Sequence, residues 1–158
     1  MSRVKTILLV CTGNSCRSVM AWGLLKEMLK GKGDYKIITC GTGAITGARP
    51  TFETIQVMSE QDIDVSEHRS RLISNEMLSG ADLVLVMEKR HREDILNRNP
   101  CVQNKVHLLS EFGRQESEDK LVEPDISDPI GRPLEFYRKV FDIIKEAALR
   151  TVKKLEGQ

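Results

Sequence analysis

Aromatic residues, long apolar runs and an excess of one charge are scarce or absent in this sequence. Only 4% of its 158 residues are aromatic, and 24 basic residues stand against 23 acidic ones, so the formal net charge is +1. This balance gives no sign of the polybasic patch that typifies binding to nucleic acid or to a membrane surface. We therefore expect neither of these among the partners of the protein.

The apolar run near the N-terminus, residues 7–10, is too short for a targeting or membrane-spanning segment. A secretory signal contains an apolar stretch of about 7 to 15 residues, and a membrane helix needs about 20. We interpret the run as a buried β-strand and expect a soluble, cytoplasmic protein.

The four cysteines match neither a disulfide framework nor a zinc site. Cys11, Cys16, Cys40 and Cys101 are scattered, no CxxC pair occurs, and the three histidines lie in unrelated contexts. A chain of this length can bury a core of its own without disulfides. We expect a reducing compartment, no bound metal, and inert packing roles for Cys40 and Cys101.

Short apolar runs alternate with longer amphipathic segments along the chain. This alternation predicts one α/β domain over residues 1–158, a doubly wound four-stranded parallel sheet with helices on both faces. Residues 113–132 form a polar segment that has neither the periodicity of a helix nor that of a strand, and we predict a long surface loop there. The predicted strands are 5–11, 36–40, 82–87 and 105–109, and the predicted helices are 17–29, 51–61, 74–78, 89–97 and 134–155.

The segment CTGNSCRS, residues 11–18, ends the first predicted strand and opens a helix. Ligands of parallel sheets bind at this edge, where backbone N–H groups and a helix dipole can surround a phosphate. Arg17 can bind two phosphate oxygens, while Ser18 can donate a hydrogen bond to the nucleophilic thiolate of Cys11. Gly13 and Asn14 are best able to adopt the positive φ of a ring-shaped loop. The predicted phosphate-binding residues are Thr12, Gly13, Asn14, Ser15, Cys16, Arg17 and Ser18.

This segment resembles the active-site signature of the low-molecular-weight protein tyrosine phosphatase family, and the resemblance covers essentially the whole chain. It implies a cofactor-free, monomeric hydrolase that forms a phosphocysteine on Cys11 and acts on a phosphorylated protein or a small phosphomonoester. The family takes its acid and base from an Asp-Pro pair on a late loop, to which Asp128 and Pro129 correspond. Asp125 is the competing candidate, and no proline follows it.

The resemblance also implies supporting roles. Asn14 and Ser18 match positions that brace the loop, and His68 resembles the histidine that holds this asparagine. Cys16 matches a cysteine that in some members traps the oxidised nucleophile as a reversible disulfide, although it could equally be a packing thiol. Val19 stands where the family usually has proline, which removes no catalytic group.

In this family, substrate preference is associated with the residue types at a few positions, and this sequence differs there from the tyrosine-specific members. Tyrosine-specific members usually have an aliphatic residue at the position of Ser15 and aromatic residues directly after Asp-Pro, where this chain has Ile130 and Gly131. No aromatic residue is obviously free to line the mouth of the site. The protein arginine phosphatase branch resembles this pattern more closely, with a threonine where Ser15 stands and an Asp-Pro-x-Gly arrangement. Protein tyrosine phosphatase is the broad prediction, and arginine phosphatase is a near-equal refinement.

Two other classes share parts of this pattern. Arsenate reductases use the same loop but need two further cysteines to relay a disulfide, and Cys40 and Cys101 are far apart in sequence. A non-catalytic phosphate-binding module would need neither the nucleophile Cys11 nor the acid Asp128. Arsenate-dependent thiol oxidation would distinguish the first class from a phosphatase.

Overall fold

The computed structural model of the protein describes residues 5–115 and 123–157. Within them, four parallel strands form one sheet in the order β2-β1-β3-β4. The strands are β1 at Lys5–Cys11, β2 at Tyr35–Gly41, β3 at Leu83–Val86 and β4 at Val106–Leu108. The helices are α1 at Arg17–Met28, α2 at Phe52–Ser59, α3 at Asn75–Gly80, α4 at Lys89–Arg98 and α5 at Leu134–Glu156.

The predicted doubly wound α/β sheet is confirmed, and the predicted elements lie within a few residues of the observed ones. A short 3-10 helix at Pro100–Lys105 was not predicted. Part of the predicted loop, residues 116–122, lies outside the described residues, and the described stretch 123–133 contains no helix or strand.

The side chains of β1 alternate between two hydrophobic layers, as the two-residue period of a strand requires. Ile7, Leu9 and Cys11 pack into the layer that contains α1 and α5, whereas Leu8 and Val10 pack into the layer on the opposite face. Helices therefore cover both faces of the sheet. As the last residue of β1, Cys11 lies at the carboxyl edge of the strands and at the base of the loop that leads into α1.

The carboxyl ends of the three neighbouring strands bring distant segments to this edge. Cys11 pairs with Gly41 of β2, and Val10 pairs with Val86 of β3. The segments that follow β2 and β3 therefore flank the loop at residues 11–18. Among the described residues, no helix combines the length and the apolar character needed to cross a membrane.

Candidate active site

The thiol of Cys11 lies at the base of the loop, and two donors approach its sulfur. The backbone N–H of Asn14 donates to Cys11 Sγ at 3.3 Å, and Ser18 Oγ lies 3.0 Å from the same sulfur. Because Ser18 Oγ accepts a hydrogen bond from Asn14 Nδ2 at 2.7 Å, its own hydrogen is available to the sulfur. Both contacts stabilise negative charge on Cys11, the form that attacks phosphorus.

Asn14 connects the loop to the segment at residues 70–71. It has a φ of 55°, as expected for the ring-shaped loop, whereas Gly13 has no positive φ. Its backbone oxygen accepts from Ser70 Oγ at 2.7 Å, and its Oδ1 accepts from the backbone N–H of Arg71 at 2.9 Å. Since Asn14 is fully buried, these bonds fix both its backbone and its amide.

His68 supports Asn14 through an intermediate residue. Thr39 Oγ1 donates to Asn14 Oδ1 at 3.4 Å and lies 2.7 Å from His68 Nε2. Because the threonine hydrogen goes to the amide, His68 Nε2 must carry the hydrogen of the second bond. Burial, together with the charges of Arg71 and Arg69, lowers the pKa of His68 to about 4. His68 is therefore neutral near pH 7, and it contacts Asn14 through the hydroxyl of Thr39.

Gly41, at the end of β2, allows the loop to lie against the sheet. A Cβ atom at this position would be 2.3 Å from the backbone oxygen of Thr12 and 3.0 Å from the backbone nitrogen of Asn14. No larger residue fits without moving the loop. Sequence reasoning did not identify this position, although the Gly-x-Gly pattern directly after a predicted strand indicates a close backbone approach.

The guanidinium of Arg17 is buried between acceptors from two other segments. Its Nη1 donates to Glu88 Oε2 at 2.5 Å and to the backbone oxygen of Ile126 at 2.7 Å. Its Nη2 lies 3.5 Å from Asp128 Oδ2, and the side chain of Asp128 is 34% exposed. Arg17 and Asp128 are thus brought together, with the arginine held from the side of α4.

The two acidic candidates of the late loop have different surroundings. Asp125 Oδ1 accepts from the backbone N–H of Lys89 at 2.8 Å and so caps the first turn of α4. Asp128 Oδ1 accepts from the backbone N–H of Ile130, and its other oxygen faces Arg17. Of these two aspartates, Asp128 is therefore the one that lies beside the arginine of the loop.

The start of α4 also holds Thr12. The backbone N–H of Glu88 donates to His91 Nδ1 at 3.1 Å, so the neutral ring carries its hydrogen on Nε2 and donates to Thr12 Oγ1 at 2.8 Å. Arg90 Nη2 donates to the same oxygen at 2.9 Å. The hydroxyl hydrogen of Thr12 is then left for a further acceptor.

The charges around Glu88 set the protonation of this region. Burial alone would raise the pKa of Glu88, but hydrogen bonds from Arg17 and Arg90 hold it below its ordinary value. Burial, with the charge of Arg17, lowers the pKa of His91 to about 4. Sequence reasoning missed all of these contacts with α4. The Glu-x-x-His spacing at the start of a predicted helix could have indicated a cap, but not its contact with the loop.

The remaining cysteines differ from one another. Cys16 is buried, with its sulfur 3.5 Å from Thr51 Oγ1 and 3.6 Å from the hydroxyl of Tyr137. Burial raises the pKa of Cys40 to about 12, and the nearby Cys11 contributes to this rise, so Cys40 is an unreactive packing thiol. The packing prediction for Cys101 is wrong, because Cys101 is exposed on the 3-10 helix.

The mouth of the site, around Ser15, has an exposed aromatic neighbour. The backbone oxygen of Ser15 accepts from the N–H of Thr51 at 3.1 Å, and the next residue, Phe52, is 75% exposed. Phe52 is therefore an exposed aromatic residue next in sequence to a residue that contacts Ser15. On the late loop, Ile130 is exposed and Gly131 has a φ of 77°, a conformation that favours glycine.

Comparisons with known proteins agree with this geometry. The family model described as "Low molecular weight phosphotyrosine protein phosphatase" matches residues 6–158. The probable low molecular weight protein-tyrosine-phosphatase EpsP of Ralstonia nicotianae is 34% identical over 142 residues, which cover 90% of each chain.

Solved structures resemble the whole fold. The YwlE arginine phosphatase from Geobacillus stearothermophilus has a TM-score of 0.85 and 33% identity, and the match covers 97% of this chain and 94% of that one. A YwlE arginine phosphatase whose active-site cysteine is replaced by a phosphorylated serine has a TM-score of 0.85 and 28% identity, and the match covers 95% of each chain. This chain belongs to the low molecular weight phosphotyrosine protein phosphatase family of cysteine-dependent hydrolases.

Proposed function

We propose that Cys11, Arg17 and Asp128 are the catalytic residues of a phosphatase that acts on phosphorylated side chains of proteins, with phosphotyrosine as the broad substrate class. One observation carries this assignment. Two hydrogen-bond donors approach the buried sulfur of Cys11 in the same loop that presents Arg17, and Arg17 lies 3.5 Å from Asp128.

In the first step, the thiolate of Cys11 attacks phosphorus and forms the S–P bond while the bond to the leaving group breaks. Backbone N–H groups of residues 12–17 and the guanidinium of Arg17 stabilise the equatorial phosphate oxygens. Asp128, protonated at this stage, gives its proton to the leaving oxygen. The phenol of a tyrosine then departs neutral.

In the second step, the carboxylate of Asp128 takes a proton from water, and the water oxygen attacks the phosphocysteine. The S–P bond breaks, inorganic phosphate leaves, and the thiolate of Cys11 is restored. The hydrogen bond from Ser18 stabilises the departing thiolate. The mechanism requires no metal, because the loop and Arg17 supply the positive charge. We expect the protein to act as a monomer in the cytoplasm, where reducing conditions keep Cys11 as a thiol.

Phosphoarginine is the second candidate substrate. The hydroxyl of Ser15 and the Asp-Pro-x-Gly sequence ending at Gly131 favour it, because a hydroxyl at the mouth suits a polar guanidinium better than a ring. The exposed ring of Phe52 favours phosphotyrosine, since an aromatic side chain beside the mouth can stack on the substrate ring.

The test measures kcat/KM for a phosphotyrosine peptide and a phosphoarginine peptide of otherwise equal sequence. We expect turnover of at least one, loss of turnover in Cys11→Ser, and a large reduction in Asp128→Asn. Asp125→Asn is the matched control, because Asp125 contacts α4 rather than Arg17, and its turnover should stay close to that of the wild type. If neither peptide is hydrolysed by the wild type, the assignment fails.

The same assay tests Ser15 as the selector. Ser15→Ile replaces the hydroxyl with an aliphatic side chain, so the ratio of phosphotyrosine to phosphoarginine turnover should rise. Equal losses on the two substrates would show that Ser15 does not select between them.

A further inference from the structure

The outer edge of β2 has no partner strand along most of its length. β2 is the first strand in the sheet order, and among the described residues its outer side meets only an isolated bridge between Gly41 and Leu72. An edge strand of this kind presents backbone N–H and C=O groups that an extended chain can pair with.

Two cavities follow this edge. They have volumes of about 570 Å³ and 430 Å³, and both are lined by Trp22, Lys26 and Ile37. One extends past the end of β2 to Thr46, and the other extends back towards Gly33, before the start of the strand. We call the two cavities together the β2 groove.

Positive charge predominates in the β2 groove, although the chain as a whole has a net charge of only +1. Among the described residues, a single acidic side chain lines it, that of Glu67. Lys26 lies over the ring of Trp22, with Nζ 4.2 Å from the ring centroid. The basic lining residues are Lys26, Lys30, Arg69 and Arg71.

One end of the β2 groove adjoins the catalytic loop. Ser70 lines the groove and donates to the backbone oxygen of Asn14, and the backbone N–H of Arg71 donates to the amide of the same residue. Thr39 and His68, which support Asn14, also line it. The residues that line this end of the groove therefore also hold the catalytic loop.

We propose that the β2 groove binds an extended acidic segment of the phosphoprotein substrate, which adds to the edge of β2. The identity of this partner as a substrate rests on the proposed function. The basic lining complements glutamate and aspartate, the strand edge pairs with peptide backbone, and Trp22 and Ile37 pack against alternate side chains of the segment. Trp22 is the single tryptophan of the described lining, and Lys26 already lies over its ring. This arrangement disfavours stacking of nucleic-acid bases in the groove.

The test uses Trp22, the single tryptophan of the sequence, as a fluorescent reporter. The wild-type protein is titrated with unphosphorylated seven-residue peptides, the length of β2, in which valine alternates with glutamate or, in the neutral version, with glutamine. We expect a saturable change with the acidic peptide, weakened by salt, and an affinity about tenfold lower for the neutral peptide, as several exposed ion pairs together would give.

The variant Lys26→Glu with Lys30→Glu reverses two charges of the groove, one on α1 and one in the turn directly after it. Its matched control is Lys139→Glu with Lys145→Glu, which makes the same change at two exposed residues of α5. The groove variant should lose about tenfold in affinity for the acidic peptide, and the control should retain wild-type affinity. The milder Lys26→Gln with Lys30→Gln gives an intermediate loss and replaces the first variant if that one does not fold.

Equal affinity for the two peptides, or equal losses in the groove and control variants, would overturn the proposal. Binding of a single-stranded oligothymidylate as tight as that of the acidic peptide would overturn the choice of a peptide partner. The fluorescence titration requires no turnover, so it tests peptide binding in the groove independently of catalysis. If the catalytic assignment is wrong, the protein will instead fail to hydrolyse small aryl phosphates.

Discussion

The catalytic loop is held on its two sides by different chemistry. On the side of β2, Asn14 is fixed by neutral groups, the hydroxyls of Thr39 and Ser70 and the uncharged ring of His68. On the side of α4, Arg17 is held by charged groups, Glu88 and Asp128. Neutral bonds fix the shape of the loop around the thiol, whereas the charged side orients a guanidinium whose partner in catalysis is an anion.

This difference predicts different responses to substitution and to solution conditions. Contacts on the neutral side depend on close packing and should respond to steric changes but little to salt. Contacts on the charged side should respond to removal of charge. Each side contains a neutral histidine, His68 or His91, whose pKa is lowered mainly by burial. Protonation of either ring in mild acid should therefore destabilise the folded protein.

The largest expected effect is that of Gly41→Ala on the neutral side. The added Cβ would be 2.3 Å from the oxygen of Thr12, so the loop must move, and a displacement of this kind costs kcat/KM on the order of a hundredfold. The matched control is Gly43→Ala, where the nearest atom is Thr12 Cγ2 at 3.8 Å. Steady-state kinetics should separate the two variants; equal activities would show that the close approach is not needed.

A smaller effect is expected for Glu88→Gln on the charged side. The neutral amide can still accept from Arg17 but no longer offers a charge to the buried guanidinium, so kcat/KM should fall about tenfold, as for loss of a charge-assisted bond. Arg90→Gln is the control, because Arg90 is an exposed partner of the same carboxylate, and its effect should be within about twofold. A larger loss of kcat/KM in Arg90→Gln than in Glu88→Gln would contradict the role of Glu88 in holding Arg17.

The smallest effect concerns stability in mild acid. With folded pKa values of about 4 against an ordinary 6.5, His68 and His91 bind protons more readily in the unfolded chain. The free energy of unfolding should therefore fall as the pH decreases from 6.5. Urea titrations should show a flatter pH dependence between 6.5 and about 5 for His68→Gln with His91→Gln; His107, whose pKa burial also lowers, leaves a residual slope. An unchanged slope would mean that these rings do not titrate as described.

The two sides of the loop also differ in how far the sequence could predict them. The loop itself, with Cys11 and Arg17, is contiguous, so its spacing after a buried strand indicated both the fold position and the chemistry. The supporting residues Gly41, Thr39 and Glu88 come from distant segments, and no local pattern around them indicates contact with this loop. Only the pairing of β2 and β3 with β1 brings the segments that carry them to the loop.

The exposure of two residues was not foreseen from the sequence, for related reasons. Cys101 was expected to be buried, but the unpredicted 3-10 helix exposes it. Phe52 was not recognised as an exposed aromatic residue, whereas it is the first residue of α2 and its side chain is exposed. In both cases, the end of a short helix decided the exposure, and periodicity defines such ends poorly.

The most direct measurement of the central claim is a rapid acid quench during turnover of an aryl phosphate with a good leaving group, followed by mass spectrometry of the protein. In Asp128→Asn, departure of such a leaving group needs little acid, but hydrolysis of the intermediate lacks its base. The account predicts that one phosphoryl group accumulates on Cys11, more in this variant than in the wild type. Turnover without any phosphorylated Cys11, or with the phosphoryl group on another residue, would contradict it.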